Sequence, residues 1–445
     1  MSQDIRIKRG VDIKLKGKAE KMFANVPQAK VFALRPDDFH GVTPKLTVKV
    51  GAQVKAGDSL FYSKYDDRIK FTSPVSGEVV EIVRGAKRKI LEVKVLVDSE
   101  VTYKEFQIKE SSKEDVTEIL LESGAWVFIK QRPYDVIANP SDKPKAIFIS
   151  GYNSAPLAAD YDFALQGKEK SLQKGIDVIS KLTTGKVNLS VDGSQSSSVF
   201  QNISGVELHN VTGPHPAGNV GVQIHHIDPV NKGERVWTVT PQDLVIIGDL
   251  FLTGKFNAER VVALTGSEVS QPRYVKTIAG TSIENILKDN LKSTNVRVIS
   301  GGPLTGTKIS QDGYLGYYDN QITVLPEGKT HRFFGWVPWL YNNIFSMAGS
   351  SFASTGKEYA MDTNKNGETR GFVVTGEMEK VFPFDIYPMY LVKSIMYNDI
   401  GEMENQGIYE VAPEDFALAE VINTSKIDIQ KIVREGLDVM IKEVG

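Results

Sequence analysis

No cysteine occurs anywhere in the 445 residues of this chain. That excludes a thiolate nucleophile, a cysteine-ligated iron–sulfur cluster, a four-cysteine zinc site and any disulfide. Histidine is scarce as well. His40, His209, His215, His225, His226 and His331 are the full set, and none falls into an H-E-x-x-H spacing or a similar ligand pattern. No apolar run approaches the roughly 18 residues of a membrane-spanning helix. The opening stretch, MSQDIRIKRGVDIKLKG, has cations but no apolar run of the kind a secretory signal needs. The cytosol is therefore the expected compartment, and a peripheral subunit docked on a membrane complex would look the same. Excess charge is also missing. The formal net charge is −2, with no basic stripe for nucleic acid and no basic amphipathic helix for a membrane surface.

What is present is ordinary for soluble globular domains, with 41% hydrophobic and 24% charged residues. The chain is too long for one core, and about three or four domains are expected. Its most legible stretch is residues 48–95. Val48/Val50, Val54, Leu60, Ile69/Phe71, Val79/Ile82 and Leu91/Val93/Val95 read as short strands, with bends at Gly51, Gly57-Asp58, Ser73-Pro74, Gly77 and Gly85. Such spacing predicts a small barrel or flattened sandwich. The phrase GD-x-L, a charged hairpin, then SP-x-S-G-E-V resembles the barrel of lipoyl and biotinyl carriers. In a carrier the modified lysine sits at the hairpin tip. Asp66-Asp67-Arg68 take that place here, and Lys64 and Lys70 lie off it. The barrel therefore reads as scaffold.

Ahead of it, Ile5, Ile7, Val11, Ile13 and Leu15 keep a period of two, as in a half-buried strand, and this arm is expected to pack on the barrel. Behind it, Ser111 to Asp115 start a helix with Val116, Ile119 and Leu120 on its apolar face. Strands at 146–150, 187–191 and 206–208 alternate with a helix at 173–182. That alternation predicts a Rossmann-like α/β domain with a mainly parallel sheet. Residues 245–251 fit a helix or a short strand equally. Residues 260–325 run strand, turn, strand, helix, strand, as in a β-grasp unit. Ile429, Ile432, Val433, Leu437, Met440 and Ile441 mark an amphipathic helix near the end of a helical tail. The fold class is thus multidomain α+β. It has a barrel-sandwich with its arm (1–102), a Rossmann-like α/β domain (103–257), a β-grasp module (258–326) and a mainly helical C-terminal domain (327–445).

Two stretches hold candidate chemistry. In SGAWVFIKQRPY, Trp126, Phe128 and Tyr134 beside Arg132 would make a flat apolar slot with a cationic lip, suited to a quinone ring; the alternative is a strand and turn filling the core. A phosphate-cradling loop needs several glycines for close backbone approach, and this stretch has one, followed by bulky rings. In GPHPAGNVGVQIHHIDPV, His215, His225 and His226 form the densest set of ring nitrogens, fit for proton transfer or ligand contact. The plainer reading is a rigid loop whose histidines cap backbone groups. As a metal site it is poor, since adjacent His225 and His226 on a strand would point apart. Ser300 to Gly306 lack the G-K-[ST] ending of a P-loop. Residues 362–368 open like a calcium loop, but position 12 is Val373, and a polar turn fits better.

IKRGVDIKLKG, the barrel signature, GPHPAGNVG-x-x-IHHIDPV, the turn TG-x-x-x-x-x-PRYV and the aromatic FFGW together resemble the NqrA family of the Na⁺-translocating NADH:quinone oxidoreductases. The resemblance runs nearly the whole length. The barrel and the Gly301-Gly302-Pro303 turn also occur in one component of the related ferredoxin:NAD oxidoreductase complex and in the NADH-binding flavoprotein of respiratory complex I. The kinship implies a β-grasp module of the SLBB type. It also implies a peripheral, cytoplasmic-side subunit that binds no cofactor itself, with NADH, FAD, FMN, an iron–sulfur cluster and quinone in the complex. Membrane and flavin-bearing subunits would be its partners, and quinone would lie near Trp126, Phe128, Arg132, Tyr134, His215, His225 and His226. Family tails carry a Cys-Pro-Gly-Lys-like turn after ED-x-AL, whereas Glu414-Asp415-Phe416-Ala417-Leu418 is followed here by no cysteine. Other readings left by the residues are a stand-alone flavin- or nucleotide-dependent reductase and a carrier-type scaffold.

Overall fold

The computed structural model describes residues 2–195, 199–329, 332–334, 343–345, 347 and 357–445. His331, and the part of the helical tail read at 335–342, lie outside the described residues.

The barrel closes from two small sheets. One runs in the order Val31–Leu34, Ile90–Val97, Gly77–Arg84, Gln53–Val54, and the other Pro44–Leu46, Ser59–Ser63, Lys70–Thr72. Alternate residues face inward, so Phe61, Phe71, Val79, Val93 and Val95 are buried, and a register shift between Ser59 and Phe61 buries Leu60 as well. The helix Lys113–Ser123 follows the barrel. Its start is fixed by a capping box, in which the Ser112 hydroxyl accepts from Asp115 N while the Asp115 carboxylate accepts from Ser112 N.

The α/β sheet has the strand order Asp4–Arg6, Glu207–Thr212, Lys186–Asp192, Ala146–Ser150, Val236–Thr238, Lys130–Arg132, Val136–Ile137. The first five strands are parallel. Lys130–Arg132 runs antiparallel to both its neighbours. Because helices cover a parallel sheet, its strands are apolar runs; Ile147, Phe148 and Ile149 are all buried. Residues 245–251 resolve as helix, within Pro241–Thr253, which Thr240 caps. Nearly every residue of that helix is buried, which is why its apolar face showed no period.

The SLBB module is a sheet ordered Thr307–Ile309, Val296–Ser300, Gln321–Pro326, Glu259–Thr265, Arg273–Ile278, Glu20–Phe23. Its last strand comes from the N-terminal arm. The expectation that the arm packs on the barrel is corrected here. Asp4–Arg6 extends the α/β sheet, pairing Ile5 with Val211, and Glu20–Phe23 extends the SLBB sheet. The arm had the right period but no local cue to its partner. Parallel edge pairing places no constraint on the intervening sequence that a reader could recognise.

The C-terminal domain packs Pro388–Met396, Ile400–Asn405, Ala417–Ile422 and Ile429–Glu443 around Phe382, Leu391, Met403, Phe416, Val433 and Leu437. Its last helix straps the molecule together. His40 of the barrel meets Asp438 at 2.6 Å, Asp135 of the α/β domain meets Arg434 at 3.1 Å, and Gln430 donates to the Leu304 carbonyl of the SLBB module at 3.1 Å.

Candidate functional site

The ring stretch lies inside the molecule. Residues 125–128 form a single 3-10 turn, and Trp126 and Phe128 are fully buried. The Trp126 indole N–H donates to the Ala138 carbonyl at 2.8 Å, and its ring meets Trp237 edge-on at 5.4 Å. Phe128 stacks between Phe256 at 6.2 Å and Tyr317 at 5.5 Å, and the Arg260 guanidinium lies over its face at 5.5 Å. Every face of the anticipated slot is thus covered by protein.

A glycine-rich flavin loop does not fit here. Gly124, the one glycine of the stretch, sits at φ +79° and ends the preceding helix. A Cβ there would come within 2.4 Å of the Thr72 hydroxyl, which itself donates to the Ser123 carbonyl at 2.9 Å. The close backbone approach that a phosphate would need is taken by the barrel.

Arg132 and Tyr134 lie at the seam between the α/β sheet and the C-terminal domain. Arg132 is 2% exposed and reaches Glu414 at 2.6 Å and Asp415 at 3.1 Å. Burial alone would loosen its proton, but the carboxylates of Asp415, Asp135 and Glu414 outweigh that and hold the guanidinium charged. Tyr134 and Asp135 both adopt positive φ, at +84° and +52°, a conformation disfavoured for side chains of this size. Arg434 holds the turn by donating to the Tyr134 carbonyl at 2.6 Å and to the Asp135 carboxylate. The Asp415 carboxylate is wholly buried; it accepts from Ala412 N at 2.9 Å and lies against the first turn of the helix Val220–Ile227. A Cβ on Gly221 would sit 2.6 Å from its oxygens, so only glycine lets the carboxylate reach the positive end of that helix.

The histidine loop meets the same segment of chain. His225 and His226 are on that helix, not on a strand as supposed. His225 Nε2 accepts from Asp385 N at 3.1 Å, so Nδ1 carries the hydrogen and donates to Glu410 at 2.6 Å. His226 is exposed and donates to the Val222 carbonyl one turn back. His215 lies apart from both, at the carboxyl end of the parallel strands. Its Nδ1 faces the Ser154 hydroxyl at 3.0 Å, Ser154 accepts from Gly218 N, and the Asp12 carboxylate of the arm holds His215 N at 2.8 Å. Burial depresses the imidazole to about 4, so it is neutral at physiological pH and can pass on a hydrogen bond without carrying charge. The Tyr152 hydroxyl is buried with no partner among the described residues, and burial together with Asp192 and Asp12, the carboxylate that also holds His215 N, keeps its proton on.

The structure therefore brings Arg132 and His225 to one acidic segment, residues 410–415, sets the Tyr134 ring under Arg235, and leaves Trp126, Phe128 and His215 elsewhere. Reading the sequence missed Glu410, Asp135, Arg434, Tyr152 and Ser154. The Glu414-Asp415 pair was visible as a motif, but nothing local to it pointed to a partner nearly 300 positions away. Among the described residues no cluster of three or more potential metal ligands occurs, and no helix is long and apolar enough to cross a membrane.

Family models match three stretches: the NqrA N-terminal barrel-sandwich hybrid domain over residues 5–98, the NqrA second alpha/beta domain over 111–256 and the NQRA C-terminal domain over 261–311. Relatives match end to end. The NqrA subunits of the Na(+)-translocating NADH-quinone reductases of Vibrio campbellii, Vibrio anguillarum and Neisseria meningitidis serogroup B are 35%, 36% and 34% identical. Each alignment covers 99% of this chain and 100% of the relative.

Proposed function

The chain belongs to the NqrA family, the A-subunits of the Na(+)-translocating NADH-quinone reductases, and from that premise we propose that it is the complex's cofactor-free docking block. Membership puts it in an oxidoreductase complex that uses NADH and quinone, with the other subunits as partners. In this reading FAD, FMN and the iron–sulfur cluster sit in those partners. The chain covers part of the cytoplasmic face, and the sodium path runs through subunits that span the membrane. The observation that carries the reading is the filled crevice. Where a flavin loop would approach phosphate, Trp126 and Phe128 are packed on protein and Gly124 is packed on Thr72.

The purified full-length chain should show no flavin absorbance between roughly 350 and 500 nm, and adding it to membranes that carry the rest of the complex should restore NADH-driven quinone reduction. A stoichiometric flavin spectrum in the isolated chain would overturn the reading in favour of a stand-alone reductase. Quinone proximity is a second part of the proposal. Of the residues singled out, His215 suits it best, because the Tyr152 hydroxyl, which faces the same Asp12 carboxylate and has no partner among the described residues, offers a donor to a carbonyl oxygen. A photoreactive quinone should label residues 150–154 or 213–218 in the assembled complex. Labelling confined to membrane subunits would remove this part and leave the docking role intact.

A further inference from the structure

The helix Pro388–Met396 buries Met389, Leu391, Val392 and Ile395 against the C-terminal core. Its other face is apolar too. Tyr387, Tyr390, Met396 and Tyr397 are 67%, 57%, 53% and 85% exposed. The three tyrosines fall at i, i+3 and i+10, on one side of the helix and its flanking residues. Tyr387 and Tyr390 rings pack edge to face at 6.0 Å and so hold one another in place. A stripe of rigid rings with hydroxyl tips, offered to solvent, is the composition of a protein interface centre.

The surrounding charge identifies the occupant. Asp385, Asp399 and Glu402 are exposed, and none makes an ion pair among the described residues; Asp399 caps the next helix by accepting from Glu402 N. Lys393 is the single cation within this stretch. An acidic rim repels the anionic surface of a lipid bilayer and attracts a basic segment of protein. Loops of membrane proteins are rich in Lys and Arg on the cytoplasmic side. We propose that the Tyr387/Tyr390/Tyr397 face is the seat for a Lys/Arg-bearing cytoplasmic segment of a membrane subunit of the complex. This deepens the docking role proposed above and rests on it.

The test uses the full-length chain, membranes carrying the complex without this chain, and two variants: Tyr387→Ser/Tyr390→Ser/Tyr397→Ser and Asp385→Lys/Glu402→Lys. All the changed side chains are exposed, and an unchanged melting temperature confirms folding. The expected result is that the tyrosine variant binds these membranes at least about tenfold more weakly. The charge variant should associate more slowly and lose the salt dependence of wild-type association. Wild-type binding with both variants unimpaired would overturn this proposal and leave the docking role standing. No wild-type binding would sink the docking role itself. Tight wild-type binding to protein-free vesicles with about one-third phosphatidylserine, lost in the tyrosine variant, would overturn it in favour of lipid. A wild-type dimer abolished by the tyrosine variant would overturn it in favour of a second copy.

Discussion

The molecule has two seams, and charge is arranged differently in each. At the front, the barrel and the α/β domain share one apolar core, which the SLBB module joins through Tyr317 while keeping a core of its own around Val262, Val298 and Ile322, and aromatic rings do most of the joining. Phe39 packs on Phe71 at 4.5 Å and on Tyr317 at 5.0 Å, and Tyr317 stacks on Phe128. Even the ion pair there, Arg260 with Asp243 at 2.6 Å, is wholly enclosed, with the guanidinium over a ring. At the rear, the C-terminal domain meets the α/β domain over an apolar cluster that takes in Val211, Ala217 and Val222, and across it runs a charge network of Arg132, Asp135, Glu410, Glu414, Asp415 and Arg434. That network reaches solvent at Glu414, whose side chain is 41% exposed. Ring contacts are indifferent to salt and pH, whereas a charge network open at one edge responds to both. The front therefore behaves as one rigid body, and any adjustable joint lies behind it.

The comparison is broken most directly at Trp126. Trp126→Ala removes a fully buried indole and leaves the Ala138 carbonyl without its donor, so a loss of about 5 kcal/mol is expected in urea unfolding. Probes in the barrel and in the α/β domain should shift together. Separate transitions would show that the front is not one unit. Next comes Arg132. Arg132→Met leaves Asp415 buried and uncompensated and should cost about 4 kcal/mol, while Arg132→Met with Asp415→Leu should recover most of it. If the double variant is no better than the single, the pair is not what closes the rear seam.

How much of this could be read beforehand depends on the range of the interaction. The barrel strands, the Ser112 cap and the parallel strand at 146–150 are set by neighbours within a few residues, so alternation, capping and apolar runs disclosed them. The barrel, α/β and SLBB order was legible for the same reason. The arm's two pairings, the Arg132–Asp415 contact and the His225–Glu410 contact join positions far apart, and pairwise charge leaves no periodic trace. The Trp126 stretch was open between slot and core because ring composition is the same for both; only the presence of Trp237, Phe256 and Tyr317 around it decides, and those arrive from three later segments. The stretch around His225 and His226 reads as loop, with a strand only supposed in weighing a metal site, yet Ile224 packs with Phe148 and Val236 and the stretch is a helix.

Two buried groups outside the charge network predict opposite pH slopes. His215 is held near 4 by burial against 6.5 for a free imidazole. Between those values the unfolded chain takes up a proton that the folded one refuses. Stability from this group is therefore full above about 6.5 and falls by about 3 kcal/mol as pH drops towards 4. At the front, burial, with Asp319 adding to it, raises the Asp38 carboxyl to about 6 despite Arg35. Its contribution is full below about 4 and is lost as pH rises through 6, the reverse sense. These two contributions should thus nearly cancel between pH 4 and 6. His215→Asn should unmask a rise in stability on acidification across that window, and an unchanged profile would remove His215 from the account.

The smallest effect tests the rim of the rear network against its centre. His40 and Asp438 meet at 2.6 Å, but their side chains are 40% and 37% exposed. Water and salt screen such a pair, and holding both side chains costs entropy, so Asp438→Asn should change stability by less than about 1 kcal/mol. The contact still joins the barrel to the last helix, and its loss should be felt locally as faster amide exchange in Ile429–Glu443, with Lys113–Ser123 unaffected. An effect as large as that of Arg132→Met would mean that the strap is held from the barrel end and not from the buried carboxylates. The rear seam would then begin at His40 rather than at Asp415.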